Sequence, residues 1–90
     1  MPDTYAIVDP GDAHRPETAE VIGFLPEAGR VKIDCYGPRP RFGELQPATV
    51  NWPAIGAVSP ADAVAFAALL VEAAEVAGRL LPAGAHTGGA

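Results

Sequence analysis

Three features of this chain predict an α+β fold, a small antiparallel sheet of three to five strands with one long C-terminal α-helix packed on one face. First, Val31, Ile33 and Cys35 alternate with Lys32, Asp34 and Tyr36, the period of two that turns one row of a strand to a core and the other to water. Second, the β-prone run Ala19 to Leu25 precedes Arg30 to Tyr36 across Pro26-Glu27-Ala28-Gly29. There proline presets the φ of a turn and glycine accepts the positive φ of a bulge, so the pair reads as a hairpin. Third, from Ser59 onward apolar residues recur at helical spacing.

The remaining elements follow in order. Thr4 to Val8 is a short β-prone run stopped by Asp9-Pro10-Gly11-Asp12, and the polar stretch to Glu17 is a surface loop. Gly37 to Arg41 contains Pro38 and Pro40 and cannot continue a central strand, because proline lacks the ladder donor. Phe42 to Leu45 suits a short edge strand, and Ala48 to Trp52 another, stopped by Pro53; Ile55 to Val58 is compatible with strand or loop. Ser59 is a good N-cap, Pro60 fits the first helical position and Asp62 stands three residues after the cap. The helix is expected from Pro60 to about Leu81, with Pro82 and Gly84 as stop signals. One domain over residues 1–82 and a disordered Gly-rich tail over 83–90 complete the reading.

Composition narrows the class. Eleven acidic against six basic residues in 90 give a net charge of −5, and 49% of the residues are apolar. A disordered acidic tail is far poorer in apolar residues, and a general nucleic-acid binder relies on net positive charge. The single cysteine excludes an intramolecular disulfide. The first residues lack the basic and apolar regions of a signal peptide, and no stretch is long and apolar enough to span a membrane; the expected location is the cytoplasm. A domain this small has little core and usually gains a partner subunit or another staple. Five arginines to one lysine, with abundant Ala, Gly and Pro, suit a GC-rich genome.

The predicted helix has two apolar faces. Phe66, Leu69, Leu70, Ala73, Val76, Ala77 and Leu80 fall on one, which suits the sheet. Val64, Ala67, Val71, Ala74 and Gly78 form a second stripe of valines and small residues. A helix on the surface of a monomer needs only one apolar stripe, so the second is expected to be a homodimer interface. The stretch Ser59-Pro60-Ala61-Asp62-Ala63 through Phe66-Ala67, Leu69-Leu70 and Ala73-Ala74 resembles the helix of small actinobacterial and phage proteins of unknown function, in which a few strands precede a Ser/Thr-Pro-capped Ala- and Leu-rich helix. That resemblance implies a source and an architecture and carries no catalytic residue across.

No enzyme signature, cofactor motif or complete metal set emerges. Asp9, Asp12 and His14 are close in sequence, but a zinc site wants a fourth ligand and a Ca²⁺ loop more oxygens in register; they read as a solvated turn. The other histidine is His86, in the tail. Cys35 sits in the apolar row and is expected to be a buried, inert thiol. Ser59 is explained as a cap, and Gly56 belongs to no phosphate loop. Trp52 is expected in the core.

Charge is uneven. Residues 30–41 carry +3 and the remainder −8. Arg30, Lys32, Tyr36, Arg39, Arg41 and Phe42 therefore form the candidate partner-binding patch. The functional expectation is a non-catalytic interaction or regulatory protein, self-associating and bound to a protein partner. The rivals are a nucleic-acid-binding module using the same patch, disfavoured by the surrounding negative field, a site assembled across a dimer from Asp12, His14 or Cys35, and one half of a heteromeric pair of the toxin–antitoxin kind.

Overall fold

The computed structural model describes residues 5–85. Among these residues six strands precede one helix: β1 (Tyr5–Asp9), β2 (Thr18–Leu25), β3 (Gly29–Tyr36), β4 (Arg39–Arg41), β5 (Glu44–Gln46), β6 (Thr49–Asn51) and α1 (Pro60–Ala77). The main sheet is antiparallel in the order β1-β2-β3-β6, and β4 and β5 pair separately as a two-stranded arm. The fold is α+β, as the sequence predicts.

The β2–β3 hairpin is the centre of the sheet. Its register pairs Ala19 with Cys35, Val21 with Ile33 and Gly23 with Val31, so small and branched side chains share one face. Helix α1 lies over that face across β2, β3 and β6. Val21, Ile33, Cys35, Ala73 and Val76 are sealed between the two layers, with Leu25, Val31, Ala77 and Leu80 at the margin. Gly23 lets the helix approach: a Cβ there would lie 2.3 Å from a Leu69 methyl. A bulge between Ile7 and Asp9 interrupts edge strand β1, a device that discourages edge-to-edge pairing.

Ser59 caps α1 as expected; its hydroxyl accepts from the Asp62 N–H at 3.1 Å, and Pro60 opens the first turn. The helix stops at Ala77, short of the expected Leu81. Gly78, a poor helix residue, is its C-cap, and Arg79 and Leu80 donate to carbonyls three residues back. That tighter turn still delivers Leu80 to the core. Trp52 departs from expectation: it is 50% exposed. Strand β6 ends at Asn51, so the ring falls past the last ladder pair, while Val50 and Ile55 pack on the core beside it. The 52–58 connection carries no regular structure.

A backbone clasp closes the far end of the domain. The Glu17 N–H donates to Leu81 O, the Leu81 N–H to a Glu17 carboxylate oxygen, and the Gly37 N–H to Glu17 O. Gly37 is required by this approach, since a Cβ would stand 2.5 Å from the Leu81 carbonyl oxygen. Beyond Pro82, Ala83 and Gly84, placed in the tail from the sequence, donate to Pro38 O and Asp12 O. Residues 86–90, His86 included, lie outside the described residues.

Candidate functional site

Among the described residues a single helix covers one face of the sheet and no second layer covers the other, and they span only 16 Å along the thinnest axis. The alternation that buries Val31, Ile33 and Cys35 sends Arg30, Lys32, Asp34 and Tyr36 to the open face. Ile22 and Phe24, opposite Lys32 and Arg30, stand there exposed. Lys32 is engaged in place, 3.4 Å from Glu20 and 4.0 Å from Asp34.

The arm explains the proline-rich stretch after Tyr36. Pro40 is excluded from a central ladder, but in a two-stranded ribbon it pairs only with Leu45. Arg39 pairs with Gln46 and Arg41 with Glu44. The expected strand Phe42 to Leu45 is a turn followed by β5: Phe42 and Gly43 both have positive φ, 52° and 80°, the pattern of a two-residue hairpin loop. Phe42 at this tip is 94% exposed, with the Arg41 guanidinium 5.5 Å from its ring centroid.

Where the arm meets the sheet, Tyr36, Arg39, Arg41, Gln46 and Thr49 line a groove of about 470 Å³. Three of the six predicted patch residues, Tyr36, Arg39 and Arg41, are thus brought together. Phe42 stands at the arm's tip, while Arg30 and Lys32 lie four to six residues back along β3, about 13–20 Å away at strand rise. Neither Arg39 nor Arg41 is ion-paired among the described residues.

The second helix stripe is fully on the surface. Val64 is 73% and Val71 60% exposed, and Ala67 and Ala74 are exposed beside them. Gly78 is exposed too, but as the C-cap just past the helix.

The other candidate residues are held by local structure. Asp9 accepts from the Gly11 N–H, and Asp12 from the N–H groups of His14 and Arg15. Arg15 bridges both carboxylates, 3.5 Å from Asp9 and 3.1 Å from Asp12. The His14 N–H chiefly, aided by Arg15, holds the Asp12 carboxyl below its ordinary range. Cys35 is buried, its thiol donates to Ala73 O at 3.5 Å, and burial, reinforced by the Asp34 charge, pushes its pKa up to about 11. A thiol so placed is protonated at neutral pH and a poor nucleophile. Asp12 and His14 lie on the loop before β2 and Cys35 inside the core, so one chain does not assemble them.

Asp62 is the residue whose part the sequence reading missed. It is 2% exposed, and its carboxylate accepts from the N–H groups of Glu27 and Ala28 at 2.8 and 2.9 Å. The signal was present: Asp62 continues the Phe66, Leu69, Ala73, Val76, Leu80 stripe one step backward at helical spacing.

Comparison with family models, with curated proteins and with solved structures finds no match for this chain. Among the described residues no helix is long and apolar enough to cross a membrane.

Proposed function

We propose that this chain is a small non-catalytic interaction protein of the cytoplasm. In this reading it self-associates through the outer stripe of α1, Val64, Ala67, Val71 and Ala74 with Gly78, and offers Arg30, Lys32, Tyr36, Arg39, Arg41 and Phe42 to a protein partner. One observation carries the reading. The helix already covers the sheet with its Phe66–Leu80 stripe, yet two valines and two alanines remain in water on its far side. Small side chains on a helix surface allow a second helix to approach closely, and a two-fold pair covers the same patch on both copies.

Light scattering across a concentration series tests it. The expected mass is about 18 kDa, twice the 9.2 kDa of one chain, and Val71→Glu returns it to the monomer value. A wild-type protein that stays monomeric at every concentration refutes self-association and leaves the stripe to a different chain, as in a heteromeric pair.

A second reading is supported by Tyr36 lying beside Arg39 and Arg41 in one groove, an arrangement that suits a stacked base and its phosphates. The net charge of −5 counts against it. Oligonucleotide binding that falls steeply with added salt is the result that would favour it.

A further inference from the structure

We propose that the groove between the arm and the open sheet face binds an extended acidic segment of a partner protein, one with carboxylates at alternate positions. This deepens the preceding reading and rests on its assignment of residues 30–42 as a partner surface.

The argument is one of spacing. Arg39 and Arg41 are two residues apart on β4, on the same side of the ribbon, with Pro40 and Leu45 paired on the other. Residues at that separation in a strand stand about 7 Å apart, and an extended peptide repeats its side chains at the same interval. Two carboxylates at positions i and i+2 therefore meet two guanidinium groups in register, each guanidinium able to donate a bidentate pair of hydrogen bonds to its carboxylate. Both arginines are exposed and lack an ion pair among the described residues, although Glu44 lies opposite Arg41.

The rest of the groove fits a peptide. Gln46 and Thr49 bring an amide and a hydroxyl, the polar groups that pair with a peptide backbone, and Tyr36 adds an aromatic wall. A volume of about 470 Å³ has room for a few extended residues and is larger than one isolated anion needs. A nucleic-acid strand would bring a continuous row of charge against a chain that carries −8 outside residues 30–41. A short segment with two or three carboxylates avoids most of that repulsion.

The test uses two fluorescein-labelled peptides of one composition, glutamates alternating with serines in the first and blocked at one end in the second, read by anisotropy at physiological ionic strength. The alternating peptide is expected to bind about tenfold more tightly than the blocked one, and the Arg39→Gln/Arg41→Gln pair to weaken it by about tenfold or more. The Ala61→Glu/Ala63→Glu pair, which makes the same change in net charge at exposed first-turn positions of α1, beside the β2–β3 turn and outside the patch, is expected to change it by less than about twofold. Both double variants alter exposed side chains, and thermal melts establish that they fold. Equal losses from both pairs, or equal affinity for both peptides, reduce the effect to diffuse charge and overturn the proposal. So does an oligothymidylate that binds where neither peptide does. A dimeric protein that ignores both peptides overturns this inference and leaves self-association standing; a monomeric one that prefers the alternating peptide does the reverse.

Discussion

The Asp62 carboxylate reaches back 34 residues to accept the backbone N–H of Ala28 at 2.9 Å, and its second oxygen takes the N–H of Glu27 at 2.8 Å. One side chain in the first turn of α1 thereby joins the helix to the β2–β3 turn. The same residue's N–H is held by Ser59, so the cap and the joint share a single position. Hydrogen bonds to a charged acceptor contribute about 1.5–3 kcal/mol each, less where water reaches the donors.

Asp62→Ala is accordingly expected to destabilise the domain by about 2–4 kcal/mol, seen as a lower urea midpoint. Ser59→Ala, which removes only the cap, should cost about 1 kcal/mol. Equal effects of the two changes would mean that the joint to Glu27 and Ala28 contributes nothing beyond the cap.

Cys35 makes stability depend on alkaline pH. Its folded pKa is raised to about 11 from 9.0, so between these values the folded state keeps a proton that the unfolded state has released. The contribution is therefore fully present below pH 9 and is lost as pH rises toward 11. Unfolding followed across that range should show a steeper decline in wild type than in Cys35→Ala, although the variant starts from a less stable core. A thiol reagent at pH 8 should modify Cys35 only as fast as the protein opens; rapid labelling of the folded protein would contradict the buried position.

Phe42 holds a left-handed backbone conformation, φ 52°, at an exposed tip, where a bulky residue is an outlier. Asn suits that turn position better, so Phe42→Asn should raise stability slightly, by up to about 1 kcal/mol. If the ring serves a partner, the same variant should bind that partner more weakly. A drop in both stability and binding would show instead that Phe42 supports the arm itself.

What was legible in the sequence was what repeats locally. The Val31-Ile33-Cys35 alternation and the Pro26–Gly29 turn placed the central hairpin within a residue of Thr18–Leu25 and Gly29–Tyr36, and Ser59-Pro60 marked the start of α1. The two helix stripes were readable for the same reason. Non-local relations were not. Asp62 passed for a simple first-turn acid because the turn it holds lies 34 residues away. Trp52 passed for core because nothing nearby told that β6 would end one residue earlier. In the patch, composition picked out the charges, but only the arm's independent pairing separates Arg39 and Arg41 from Arg30 and Lys32.

The backbone clasp among Glu17, Gly37 and Leu81 bears on how the protein is made. A nascent chain can form the β2–β3 hairpin from adjacent sequence soon after it leaves the ribosome, since that pairing is local. The Leu81 carbonyl that takes the Glu17 N–H, and the Ala83 N–H that reaches Pro38 beside the arm, arrive only with the last part of the domain to be translated. Until then the root of the arm is held by the Gly37 bond to Glu17 and lacks these later anchors.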